Sequence, residues 1–429
     1  MLPEKARKTI TGGSADRIIC DQLGIGKTAL DEYKARLVSA IDSFTSLYGE
    51  DRDVSVFSVG GRSEISGNHT DHNGGKVIAA AVNLDIVAVA SARDDGIIRV
   101  KSEGFDEDTV LPDDAKESDP EKFSTSAALI AGIEHAFMAR GLSVGGFDAY
   151  TASNVIKGSG LSSSAAFEVM IGKILSYFYN INNVDTKEIA KSAKYAENVF
   201  FGKPCGLMDQ MACATGGLIT VDFSSSTDPE VRSIDFDFAS SGLSLCITNT
   251  GSSHSDLTDE YAAVPAEMKN VASCFGKERL CELSRADIED NITALRDRAG
   301  DRAVLRALHF FDENERVEKQ TEALEGKDTD EFLRLVTESG NSSFRFLQNV
   351  HSASAPEDQG TSLALYLSER FLKDKTGAAR IQGGGFAGTI EAFIPDRLAG
   401  EYKEMMEKVF GKGSCHILSV RPAGAIKII

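Results

Sequence analysis

The sequence predicts an α+β fold. Segments of helical and strand-like periodicity alternate along it without the regular βαβ spacing of a doubly wound sheet. No repeat on the scale of about 20–50 residues is visible. With 429 residues, 42% of them hydrophobic, the chain has enough apolar material for two domains or one large one.

The elements follow in order. Leu30, Tyr33, Leu37, Ile41, Phe44 and Leu47 recur at helical spacing, so a helix is predicted over residues 29–48. Just before it, D-Q-L-G-I-G-K-T resembles the end of a Walker A loop. Asp21 stands where the first glycine is required and no convincing strand precedes it, so this is read as coincidence. Residues 54–59 and 77–92 read as strands. Residues 102–122, acidic and containing Pro and Ser, read as a surface loop. Helices are predicted over 124–141, 165–179 and 187–199, and strands over 147–153, 218–223 and 243–249. Residues 256–319 read as mostly helical and 363–372 as a helix, and 380–393 as a glycine loop flanked by extended chain.

There are 65 acidic and 46 basic side chains, a net charge of −19. That balance argues against nucleic-acid and anionic-membrane partners, whose binding needs basic patches. The seven cysteines are scattered without a CxxC pair, which supports neither a zinc ribbon nor a dithiol motif. The first residues lack the apolar core of a signal peptide and no long apolar stretch follows. A reducing cytoplasm is the expected compartment.

The most informative stretch is K-G-S-G-L-S-S-S-A-A-F-E, from Lys157 to Glu168. Gly158 and Gly160 let the backbone approach a ligand, and the serines favour a helix start. Such a loop presents unpaired N–H groups and the positive end of a helix dipole, which together cradle phosphate. The alternative is a flexible loop before an ordinary helix. Around it lie V-G-G-R-S-E-I-S-G-N-H-T-D-H-N-G-G (Val59 to Gly75), F-G-K-P-C-G-L-M-D-Q (Phe201 to Gln210) and R-I-Q-G-G-G-F-A-G (Arg380 to Gly388).

In this order the four segments resemble the GHMP family of small-molecule kinases and, within it, the galactokinases. The likeness runs from about residue 55 to the C-terminus. It implies a two-domain GHMP-kinase fold with the active site in the inter-domain cleft. Residues 1–50 would be a helical extension, 51–235 the N-terminal domain with phosphate loop 157–166, and 236–429 the C-terminal domain. It further implies transfer of the ATP γ-phosphate to the anomeric hydroxyl of galactose. MgATP and a small sugar would be the ligands, on a monomer or weak homo-oligomer.

Phosphoryl transfer needs backbone donors, a metal, a group that takes or orients the nucleophile's proton, and a cation near the moving phosphoryl. Gly158, Ser159, Gly160, Leu161, Ser162, Ser163 and Ser164 would supply the donors. The resemblance implies that Ser164 and Glu197 hold Mg²⁺; on its own, Glu197 reads as a solvated helix charge. It makes Asp209 the catalytic aspartate, where an N-cap is the plainer reading. Arg62 would lower the pKa of Asp209 and offset phosphate charge. Asp71 would bind two adjacent sugar hydroxyls, with Asn68, His69, Gly206 and Tyr261 lining the same pocket. His69 and His72 lack a third ligand and are not read as a metal site. Gly383, Gly384, Gly385 and Gly388 would be mainly structural.

Some positions depart from the family pattern. Asn68 replaces the glutamate expected to hold the sugar's 6-hydroxyl, and His72 replaces a tyrosine. Ile156 replaces the proline that opens the phosphate loop, and Gln382 and Ala387 replace threonine and glycine. The arginines that flank the tyrosine segment are missing; Ser253 and Val264 stand nearby. A non-acidic residue at 68 with Asp71-His72 is similar to plant galacturonate kinases. A galacturonate or other modified-galactose 1-kinase is therefore one alternative. A non-catalytic sugar sensor of the same family is the other, although the intact S-S-S-A-A and Asp209 favour an enzyme.

Overall fold

A computed structural model describes residues 1–155, 160–203, 205–225, 228–251, 257–386 and 388–429. Among them twelve strands form: β1 (Ser55–Ser66), β2 (Lys76–Ala92), β3 (Ile98–Ser102), β4 (Glu107–Val110), β5 (Phe147–Ser153), β6 (Leu218–Asp222), β7 (Glu230–Ser233), β8 (Leu243–Asn249), β9 (Ala378–Ile381), β10 (Thr389–Pro395), β11 (Cys415–Leu418) and β12 (Ile426–Lys427). One sheet runs β12-β1-β2-β5-β3-β4, with β6 on the first half of β2 and β7 outside β6. The other runs β11-β8-β10-β9, all antiparallel. Only β3 and β5 pair in parallel among the described strands. Helices and sheets are mixed without a doubly wound order, as the sequence predicts.

Alternation along β1 and β2 divides their side chains between two cores. Phe57, Val59, Ala88 and Ala90 face the helices Ser163–Tyr179 and Met208–Thr215. Val56, Val87 and Val89 face the helix Leu30–Tyr48, through Leu37, Ile41 and Phe44. Because both faces are covered, β2 reads as a nearly continuous apolar run. Each of those large side chains contributes about 1.5–3 kcal/mol on burial. Residues 1–50 are thus packed onto the first sheet. Tyr33 Oη donates to Asp85 at 2.6 Å, and Arg36 to Asp85 at 2.5 Å.

The structure amends the sequence reading in several places. The helix Asp16–Asp21 stands where a Walker A loop would need a strand, so the G-K-T there is coincidental. β1 continues past Val59 to Ser66, and β4 lies inside the expected loop 102–122. The helix predicted over 187–199 ends at Tyr195 and passes into a π-turn, Ala196–Phe200. The helices Thr329–Ser342 and Asp396–Phe410 went unread. Val317, Phe332 and Phe393, which follow residue 235, pack in one cluster with Phe57 and Val169, which precede it. The end of the chain returns to the first sheet, where β12 pairs with β1 at Phe57↔Lys427 and Ser58↔Ile426. No helix among the described residues is long and apolar enough to cross a membrane.

Candidate active site

The phosphate loop reaches the site against β1. Gly158 and Ser159 lie outside the described residues. Arg62 N–H donates to the Leu161 carbonyl at 3.1 Å, and a Cβ on Gly61 would stand 2.7 Å from that oxygen, so only glycine allows the approach. Gly160 and Ser162 have φ of 70° and 52°. Ser162 precedes the helix Ser163–Tyr179 but does not cap it; its hydroxyl donates to Asp209 instead. The helix N-terminus keeps no side-chain cap, which leaves its amides available to an anion. Ser163 is half-buried and Ser164 exposed at this end.

Asp209 sits in the first turn of Met208–Thr215, whose cap position is Leu207, so its carboxylate is not used as a cap. Arg62 grips it with both arms, Nε to Oδ1 at 2.8 Å and Nη2 to Oδ2 at 2.6 Å, and donates its third nitrogen to the Gly160 carbonyl. Burial pushes the Asp209 carboxyl up, but the charge and bonds of Arg62, the Ser162 hydroxyl and the Lys203 charge outweigh it and hold it below its ordinary value. Asp209 is therefore ionised at neutral pH and able to accept a hydrogen bond from a nucleophile.

Beside it lies a second acidic group. Glu197, buried in the π-turn, accepts from Lys203 Nζ at 2.8 Å on Oε1 and from Gln210 Nε2 at 2.8 Å on Oε2. The same Gln210 amide donates to buried Glu168 at 3.1 Å. Glu168 Oε1 and Gln210 Oε1 are buried without partners. Two buried oxygens short of donors, beside the Glu197 carboxylate, form a setting suited to a hard cation such as Mg²⁺, which takes few protein ligands and keeps water and phosphate oxygens. No group of three or more His, Cys, Asp or Glu among the described residues forms a closed metal site. Gln210 and Glu168 were quoted in the sequence motifs but given no role there.

Across from the loop, Asp71 and Gly206 meet so closely that a Cβ on Gly206 would overlap the carboxylate. His72 Nδ1 is 3.3 Å from Asp71, and His72 Nε2 is 3.1 Å from His69 Nδ1. His69 Nε2 faces the Gly384 carbonyl at 2.8 Å, which assigns the His69 hydrogen to Nε2. Burial, then the neighbouring His72, pushes His69 down to about 3, so it is neutral. Tyr261 donates to the Gly385 carbonyl at 2.7 Å and lays its ring on Gly384. The glycine turn thus positions both His69 and Tyr261.

Asn68 is enclosed. The sequence places it against position 6 of a sugar; in the structure it is 0% exposed, with all its hydrogen-bonding capacity used. Its amide donates to Glu64 at 2.9 Å and the Gly383 carbonyl at 2.6 Å. Its oxygen accepts from Ser343 at 3.2 Å and Asn349 at 2.8 Å. Asn68→Glu would lose both donors and face Glu64 with a second carboxylate. It is expected to lower stability by at least about 2 kcal/mol in urea unfolding. Parental stability combined with a changed sugar preference would put residue 68 back in the pocket.

Behind this layer, Arg380 is fully buried between two carboxylates. It donates to Ile65 O at 2.8 Å and to Glu64 at 3.3 Å, and lies 3.7 Å from Glu391. Gln382, one of the departures from the family pattern, accepts from Thr389 at 2.8 Å and donates to Ser63 at 3.0 Å, next to Gly160. These contacts tie β9 and β10 to β1. The structure therefore brings Arg62, Ser162 and Asp209 together, Asp71 with Gly206, and His69 and Tyr261 onto one turn. It joins Glu197 to Lys203 and Gln210 and encloses Asn68 among Glu64, Gly383, Ser343 and Asn349.

Comparison with known proteins agrees with this geometry. Residues 125–217 match the GHMP kinases N terminal domain, and residues 42–92 match the galactokinase galactose-binding signature. The chain is 33% identical over 356 residues to a galactokinase of Streptomyces coelicolor, covering 81% of this chain and 86% of that one. It is 28% identical to a galactokinase of Bacillus subtilis, covering 84% and 90%. Among solved structures it resembles Lactococcus lactis galactokinase complexed with galactose, with a TM-score of 0.75, 23% identity and 90% and 98% coverage. A mevalonate kinase follows the same fold at a TM-score of 0.60, 15% identity and 86% and 99% coverage.

Proposed function

The chain belongs to the galactokinase family of GHMP kinases, and on that premise we propose that it transfers the γ-phosphoryl group of ATP to the anomeric hydroxyl of galactose, giving galactose 1-phosphate and ADP. The observation that carries this reading is the two-armed Arg62–Asp209 pair, set on the phosphate loop by the Gly160 carbonyl and the Ser162 hydroxyl.

Asp71, with Gly206 closing against it, takes two adjacent sugar hydroxyls, and the glycine turn with His69 and Tyr261 shapes the rest of the pocket. Asp209 accepts the hydrogen bond of the anomeric hydroxyl and receives its proton as the oxygen–phosphorus bond forms. Arg62 keeps that carboxylate ionised and aimed. The amides of the loop and of the following helix hold the phosphates. Ser164 and Glu197 are the residues that would hold magnesium, which neutralises charge on the phosphate oxygens when bound. The seven cysteines are all free, which supports a reducing compartment, and we place the protein in the cytoplasm.

ADP release should be screened with galactose, galacturonate, N-acetylgalactosamine, galactosamine, arabinose and glucose. Galactose is expected to be the best substrate. Faster turnover of galacturonate would favour a modified-sugar kinase. ATP binding without ADP release on any sugar would point to a sensor. Ser164→Ala and Glu197→Gln should each raise the Mg²⁺ concentration for half-maximal rate. Unchanged Mg²⁺ dependence in both would remove these residues from the metal site.

A further inference from the structure

Of the two described cations at the site, Arg62 is held in place, with three of its five N–H groups on both oxygens of Asp209 and on the Gly160 carbonyl. A transferring phosphoryl group still needs a positive donor near its developing charge. Among the described residues, Lys203 is a second cation there, with freedom to serve it. It lies between the π-turn and C-G-L-M-D-Q, with its N–H on the Glu197 carbonyl at 3.0 Å. Its side chain is 60% exposed, and its charge helps hold the Asp209 carboxyl down.

Its ammonium rests on Glu197 Oε1 at 2.8 Å. The two partners differ in mobility. Glu197 is buried, and its other oxygen is fixed by Gln210 Nε2 at 2.8 Å; that amide spends its second hydrogen on Glu168 at 3.1 Å. The carboxylate therefore stays and the ammonium, on an exposed flexible stem, is the part that moves.

We infer that Lys203 is a further catalytic residue, which neutralises Glu197 while no metal is bound and passes to the transferring phosphoryl group when magnesium takes that carboxylate. The inference rests on the reading of Glu197 as a magnesium ligand. It assigns the lysine two successive partners and makes it a competitor of the metal at the first.

The competition predicts weaker turnover together with tighter apparent magnesium binding. With galactose and MgATP, Lys203→Met should lower kcat by about tenfold or more. It should also lower the Mg²⁺ concentration for half-maximal rate, by about threefold, since the half-exposed ion pair that competes for Glu197 is gone. Lys203→Arg should recover most of the turnover. In the parent protein, acylation of Lys203 read by mass spectrometry should fall about fivefold or more with Mg²⁺ and a non-hydrolysable ATP analogue, as the ammonium is taken up by phosphate. Turnover in Lys203→Met within about twofold of the parent's, a half-saturating Mg²⁺ that is unchanged or raised, or acylation indifferent to the nucleotide would each overturn the inference. Should Glu197→Gln leave the Mg²⁺ dependence untouched, the magnesium reading itself is what fails.

Discussion

Asp209→Asn is expected to reduce kcat by about 10²-fold or more, the scale of a lost general base. The substitution keeps the shape and removes the charge. It also presents an NH₂ where Arg62 Nη2 now donates at 2.6 Å, so two donors face each other. Arg62 is buried and loses its counter-ion, so some stability is lost as well. The comparison is therefore made on protein shown to be folded by circular dichroism and still binding an ATP analogue. Turnover within tenfold of the parent's would take Asp209 out of the chemistry. Arg62→Lys should also be poor, because one ammonium cannot span Oδ1, Oδ2 and the Gly160 carbonyl.

Arg380→Met should cost about 3–5 kcal/mol, seen as an earlier midpoint in urea, because it leaves Glu64 and Glu391 buried without their shared cation. Burial already pushes the Glu391 carboxyl well above the carboxylate range, against the pull of Arg380 and with Glu64 adding to the rise. Burial raises Glu64 too. A carboxyl raised in the folded state binds more protons there than when unfolded, so its contribution is complete below the unfolded pKa and is lost as pH rises through the folded one. Without Arg380 both groups rise further. The variant's stability should therefore fall more steeply than the parent's as pH rises above the ordinary carboxylate range. A loss under about 1 kcal/mol would mean that the two carboxyls share a proton and need no cation.

Much of this was legible in the sequence where the signal is local. β5 and β8 fall on the predicted residues, because short apolar runs are bounded there by breaks. β1 was cut short at Val59 because G-G-R-S-E-I-S does not read as a strand. Its polar residues are buried only because Gln382 and Arg380, more than three hundred residues away, bond to Ser63 and Glu64. The bonds of Asn68 were hidden from the sequence for the same reason. Its motif position suggested a ligand contact, but Ser343, Asn349 and Gly383 decide where its amide points. The pairing of Arg62 with Asp209 was legible because the motifs name both residues; that Ser162 serves Asp209 and not the helix end depends on a backbone angle no local pattern reveals.

The pairing of β12 with β1 has a consequence for synthesis. Val56 N–H donates to the Ile429 carbonyl at 3.0 Å and Ile428 N–H to the Val56 carbonyl at 2.7 Å. At about 5–20 residues per second, roughly 20–75 s separate translation of the first strand from that of its outer neighbour. Until then β1 is an unpaired edge, a template for pairing with another nascent chain. Arg421, whose guanidinium donates to Ser58 at 2.6 Å from the same late segment, arrives only moments earlier. The nascent protein therefore completes its first sheet late, long after its first strand is made. Its yield should depend more on what shields that edge during translation than on how stable the finished molecule is.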